Sequence, residues 1–76
     1  MSNPTLSETP VGKKVRLVAI SGSRQLTRRL LALGLTLGSE VEVLQHRGRG
    51  VVVAKQGNRV ALGKAIAEQL QAEAVD

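Results

Sequence analysis

The sequence predicts a small, mainly β barrel of about five strands, with a short inserted helix and a short C-terminal helix. Three observations lead there. Apolar and polar residues alternate over 14–20, 40–46 and 71–75, the period of two that marks half-buried strands, and short apolar runs at 51–55 and 59–62 read as further strands. Turn residues built on glycine separate these runs. One leucine stripe at helical spacing lies between the first run and the second. At 76 residues the chain is a single domain. A fold this size buries only about 60% of its unfolded surface, so stability is modest and no deep catalytic cleft fits beside the core.

Residues 1–10 are rich in Ser, Thr, Asn and Pro. They predict a flexible N-terminal arm with Leu6 as its one docking residue, and the folded domain spans 11–76. After a turn at 11–13, the first strand puts Val15, Leu17 and Ala19 on one side and Lys14, Arg16 and Val18 on the other. Ile20 breaks the phase and leads into the loop Ser21-Gly22-Ser23. Ser23 then offers a hydroxyl to a free amide of the first helical turn, the part of an N-cap. Leu26, Leu30 and Leu33 form the inward stripe, Leu31 lies off it, and Arg24, Arg28 and Arg29 fall on the other side. Gly34 stands where a left-handed residue ends a helix.

The turn 35–39 has apolar anchors, and Gly38 is its positive-φ position. The second strand, 40–46, carries Val41, Val43 and Gln45 on one face. Arg47-Gly48-Arg49-Gly50 is a hairpin tip, and Gly57-Asn58 is the two-residue turn between the third and fourth strands. A short helix over 64–70 shows Ile66, Ala67 and Leu70, and 71–75 returns as the closing strand. Closing the barrel removes the exposed edges that invite aggregation. The architecture is SH3-like.

Charge narrows the function. The chain carries 11 Lys and Arg against 6 Asp and Glu. All 11 bases lie between Lys13 and Lys64, where only Glu40 and Glu42 oppose them, a surplus of nine. A basic body implies an anionic partner, and the sequence pI of about 10.9 suits nucleic acid. The lack of Phe, Trp and Tyr argues against single-strand binding, which stacks bases on aromatic rings. With no Cys there is no disulfide, thiolate metal site or cysteine nucleophile. No apolar run approaches the roughly 20 residues of a membrane span, and the polar start has no apolar signal region. The expected location is cytoplasmic.

Residues 29–43, Arg-Leu-Leu-Ala-Leu-Gly-Leu-Thr-Leu-Gly-Ser-Glu-Val-Glu-Val, closely resemble the signature segment of the FeoA family, roughly R-L-x-x-L-G-[LM]-x-P-G-x-x-[VI]-x-[VI]. Gly12 with the strand from Val15 to Ile20 is similar to the family's opening, and Val60-Ala61-Leu62 with Ala67 and Leu70 to its close. The resemblance covers about residues 6–75. It implies an SH3-like protein of bacterial ferrous-iron uptake, not an enzyme, that docks on FeoB, a membrane permease with a cytosolic GTP-binding domain. The location it implies is the cytoplasm, at the inner membrane face through that partner. The same fold occurs as the C-terminal domain of iron- and manganese-dependent repressors. Leu37 replaces the proline usual in the family's turn, and the tip 47–50 is shorter than the family's loop and lacks its acidic residue.

Within that picture the expected partner contacts are Leu35, Leu37 and Gly38, lifted from the barrel by the turn, with Arg28, Arg47 and Arg49 supplying positive charge. No catalytic or cofactor-binding residues are expected. There is no phosphate-binding glycine loop, and one His with one Asp, Asp76, makes no nucleophilic triad. His46, the single histidine, is the weak metal candidate. Its nearest same-strand carboxylate, Glu42, is about 13 Å away along the strand, and a durable site needs three or four ligands, so any transition metal is transient. Two alternatives to the adaptor follow: a basic barrel that binds nucleic acid, and a transition-metal-responsive interaction module.

Overall fold

The computed structural model describes residues 4–75. They form β1 (Lys14–Ile20), α1 (Arg24–Ala32), β2 (Glu40–Arg47), β3 (Gly50–Lys55), β4 (Asn58–Leu62), α2 (Lys64–Ala67) and β5 (Leu70–Ala74), after a 3-10 turn at Leu6–Glu8. The strands make one antiparallel sheet in the order β4-β3-β2-β1-β5. The mainly β, SH3-like class predicted from the sequence is the one observed. The ladder itself has two ends, β4 and β5, instead of closing on itself.

Alternation explains the strands. Val15 and Leu17 of β1, Val41 and Val43 of β2, and Val51 and Val53 of β3 point inward and are buried. They meet Leu26 and Leu30 of α1, Leu62 of β4, Ala67 of α2, and Leu70 and Ala72 of β5 in a single core. Each buried Val or Leu contributes roughly 1.5–3 kcal/mol relative to exposure. β1 lies between β2 and β5, paired through Val15 with Val41 on one side and Ala74 on the other. Its outward Arg16 lies between Glu40 at 3.2 Å and Glu73 at 3.4 Å. These exposed pairs are worth little individually but keep like charges apart across three strands.

Two bulges correct the expected strand phases. Register shifts between Leu17 and Ala19, so Ile20, the residue that broke the pattern, packs against the core and Ala19 does not continue the inward face. A second shift lies between Val43 and Gln45, and Gln45 is exposed instead of sharing the face of Val41 and Val43. An extra residue in one strand has this effect on side-chain alternation.

The N-terminal arm is also different from expectation. Residues 1–3 lie outside the described residues, but from Pro4 the segment is built onto the sheet. The Ala72 amide donates to the Pro4 carbonyl at 2.9 Å, Thr5 bridges to Gln71, and Leu6 is fully buried. The strand edge that closure was expected to remove is covered by this segment. Thr5 and Glu8 form a capping box in which the Glu8 carboxylate accepts from the Thr5 amide at 2.9 Å.

Three boundaries move. Lys55 pairs with Asn58, so the β3–β4 turn is Gln56-Gly57, with φ of 48° and 85°. Both residues are left-handed, as a type I′ hairpin requires. Arg47 pairs with Gly50, leaving Gly48-Arg49 as the two-residue tip. The second helix ends at Ala67 and Leu70 opens β5, because Leu70 pairs with Ile20 and buries its side chain in the sheet.

Two predictions follow from these turns. Asn tolerates the left-handed region that costs other side chains about 1–2 kcal/mol, so Gln56→Asn raises stability by about 0.5–1 kcal/mol in urea unfolding. The hydrogen bonds from the Thr5 backbone and then its side chain hold the Glu8 carboxyl below its ordinary value. A depressed folded-state pKa adds stability that is present above the unfolded value and is lost as pH falls through the folded value. The thermal midpoint of Glu8→Gln is therefore below wild type near neutral pH, and the gap narrows as the medium is acidified below about pH 4.5, the ordinary carboxyl value.

Candidate functional site

The site grows from the way α1 ends. Ser23 caps its start, accepting from the Leu26 amide at 3.4 Å. At its other end the Gly34 amide donates to the Leu31 carbonyl at 2.9 Å, and the Leu35 amide reaches back to the Leu30 carbonyl at 2.8 Å. This is a Schellman motif, with Gly34 at a φ of 82°. The motif brings the residue after the glycine down onto the helix, and Leu35 is 1% exposed in the core beside Leu30. Leu35 is therefore not the exposed contact that the sequence suggested. Leu33, assigned to the core stripe, is the C-cap and is 45% exposed. Leu31 is exposed, as its position off the stripe implied.

The next turn presents Leu37. The Ser39 amide donates to the Thr36 carbonyl at 3.1 Å, and Gly38 has a φ of 89°, a type II turn with Leu37 at the position that favours proline. The family's proline thus has a geometric reason, and Leu37 fills its place here. The Ser39 hydroxyl accepts from the Thr36 amide at 3.0 Å. The Gly38 amide donates to the Leu17 carbonyl at 2.8 Å and the Leu17 amide to the Ser39 carbonyl at 2.9 Å. These bonds fasten the turn to the middle of β1 while Leu37 stays 58% exposed.

Leu37 and Gly38 line an open groove with Lys14 and Glu42 of the sheet and with Lys55, Gln56 and Gly57 of the β3–β4 hairpin. Lys55 ties the walls together, its Nζ donating to the Gly34 carbonyl, a cation on the negative end of α1. Sequence reasoning missed this hairpin as a wall. Lys55 is 21 residues from Gly34 along the chain, so no local pattern signals the contact.

The other expected contacts lie elsewhere. Arg28 is exposed on α1. Arg47 and Arg49 are exposed at the β2–β3 hairpin, outside the groove. Arg49 reaches Glu68 at 3.5 Å and lines a separate depression with Thr5, Ser7 and Glu8. The apolar and basic elements expected to form one surface thus separate. The His46 Nε2 lies 2.6 Å from the Thr9 carbonyl. A carbonyl only accepts, so Nε2 carries the proton and is spent on this bond. Among the described residues, no cluster of three or more His, Asp or Glu side chains is placed to hold a metal.

Fold and groove define a small SH3-like module with an apolar turn displayed beside a rigid sheet. The chain belongs to the FeoA family, whose model, described as the FeoA domain, matches residues 5–74. A protein of Methanocaldococcus jannaschii provisionally named Fe(2+) transport protein A is 24% identical over 62 residues, covering 82% of this chain and 76% of that one. The crystal structure of an iron uptake regulatory protein (FeoA) is 32% identical with a TM-score of 0.84 and covers 99% of both chains. A manganese-dependent transcriptional repressor in complex with manganese is 25% identical with a TM-score of 0.87, over 93% of this chain and 36% of that one.

Two substitutions separate the leucines. Leu35→Ala lowers unfolding free energy by about 2–5 kcal/mol, the range for a buried leucine. Leu37→Pro leaves it unchanged or raises it by about 0.4–1 kcal/mol, because the turn already holds the conformation proline prefers. Denaturant midpoints check both.

Proposed function

We propose that this chain works in ferrous-iron transport as a non-enzymatic adaptor that docks on the cytosolic part of a FeoB-type permease. Membership of the FeoA family supports the transport role. The observation that carries the docking is Leu37, a large aliphatic side chain left 58% exposed on a turn that four main-chain amides hold in place. An aliphatic side chain held beside an open groove offers a partner a prebuilt apolar contact. Among the described residues no helix is long and apolar enough to cross a membrane, so in this reading the chain reaches the inner membrane face through its partner.

The mechanism is surface complementarity. A groove with a prebuilt turn needs little ordering on binding, which lowers the entropic cost of docking. The surplus of basic groups accelerates encounter with an acidic partner. No metal or nucleotide is required of this chain.

Capture of the detergent-solubilised permease by tagged protein, with and without nuclease and at about 0.15 M salt, tests this. Wild type retains the permease, and Leu37→Glu retains it at least about tenfold less, the loss of a hot-spot contact. Equal capture by the variant overturns the role of the turn. Retention only of nuclease-sensitive material overturns the adaptor in favour of nucleic-acid binding.

A further inference from the structure

The acids of this molecule are almost all engaged away from α1. Glu40 and Glu73 bracket Arg16, Glu68 meets Arg49, and Glu8 caps its own turn. Glu42 stands opposite Lys14 across the sheet. α1 itself has three arginines and no acid. Among the described residues, none of Arg24, Arg28 and Arg29 makes an ion pair, while Arg16 and Arg49 do.

Their placement is regular. Leu26 and Leu30 are the buried stripe of α1. Arg24, Arg28 and Leu31, at i, i+4 and i+7, run along the opposite, solvent-facing side. That row is about 10 Å long at the helical rise. Arg29 flanks it, and Arg28 and Arg29 line a shallow open depression with Ser23, Gln25 and Leu26. The face therefore presents guanidinium forks, which match phosphate oxygens in pairs, around a leucine that is 61% exposed.

We propose that this outward face of α1, formed by Arg24, Arg28, Arg29 and Leu31, is a contact surface for the anionic headgroups of a membrane. Charge complementarity selects an anionic occupant. Leu31 selects a lipid surface over a nucleic-acid backbone, because an aliphatic side chain gains nothing from phosphates but does gain at the boundary between headgroups and acyl chains. The face is convex and straight, which suits a flat, adaptable surface. Its place at the membrane rests on the permease-docking reading above. The two contacts then reinforce each other, since a chain already held at the bilayer meets its partner at raised effective concentration.

Each arginine near an anionic surface strengthens partitioning about fivefold, so three contribute on the order of 100-fold. Cosedimentation with protein-free vesicles reads this directly. Wild type binds phosphatidylcholine vesicles containing phosphatidylglycerol, does not bind phosphatidylcholine alone, and is released at about 0.5 M salt, where screening is short-ranged. Replacing Arg24, Arg28 and Arg29 by Gln together lowers partitioning on the order of 100-fold. Replacing Arg47, Arg49 and Arg59 by Gln removes the same charge and lowers it far less. Arg28→Gln and Leu31→Gln, both at exposed positions, give intermediate losses and keep the thermal midpoint of wild type. Equal losses in the two triple variants overturn the proposal, as does equal binding to neutral vesicles. Tighter binding to duplex DNA than to the anionic vesicles at the same salt also overturns it. Permease capture in detergent contains no anionic bilayer and the vesicles contain no permease, so either reading can fail alone.

Discussion

The two hydrogen bonds that close α1, from Gly34 to Leu31 and from Leu35 to Leu30, are the constraint on which the functional surface depends. They stop a helix that leucines alone would let continue, and turn the chain back so that Leu35 enters the core beside Leu30. Only then does the type II turn at residues 36–39 meet β1, where Leu17 exchanges amide and carbonyl bonds with it. Lys55, from a hairpin remote in sequence, completes the corner by donating to the Gly34 carbonyl. Helix end, apolar turn and hairpin thus form one rigid joint, and Leu37 is exposed because its neighbours on both sides are held.

Much of this was legible in the sequence. Alternation or apolar runs between glycine turns located every strand to within a residue or two, Ser23 and Gly34 bounded α1, and Gly38 marked its turn. The signature from Leu30 to Val43 read correctly as helix, turn and strand. What could not be read depends on partners far along the chain. Leu33 and Leu35 exchanged places between surface and core because a Schellman end buries the residue after its glycine, whereas helical periodicity points to the one before it. The pattern Leu30…Gly34-Leu35 carried that signal. Of the bulges near Val18 and Leu44, the first showed only as the broken phase at Ile20, and the second had no such local mark. They arise from fitting β1 between two partners and β2 between two others. The candidate site was legible only in part. Leu37 and Gly38 stand at the groove, but its second wall, Lys55 to Gly57, comes from tertiary packing. The basic residues grouped with them in sequence reasoning are dispersed in space.

That dispersal organises the electrostatics. Opposite charges are interleaved across β1, β2 and β5, where Arg16 lies between two glutamates, so the sheet surface is close to balanced. The uncompensated charge is concentrated on α1, which projects from it, whereas Arg49 of the β2–β3 hairpin is paired with Glu68. A protein with net charge +5 therefore does not present a uniform positive field. Apolar recognition and electrostatic attraction are assigned to neighbouring but distinct surfaces, and each can be tuned by substitution with little effect on the other.

The place of β1 between β2 and β5 has a further consequence for the order in which the molecule is made. This strand is synthesised early, yet its neighbours are residues 40–42 on one side and 70–74 on the other. The segment at Pro4 and Thr5 waits for β5 as well, since its bonds go to Ala72 and Gln71. During translation the first twenty residues have no completed sheet to join, and the hairpin β2–β3–β4 is the one part whose pairings are local. Long-range closure of this kind is slow compared with hairpin formation. The nascent chain accordingly holds the turn at residues 36–39 before it holds the β1–β5 ladder that secures the strand beneath it, and the finished groove appears only when β5 has paired with β1.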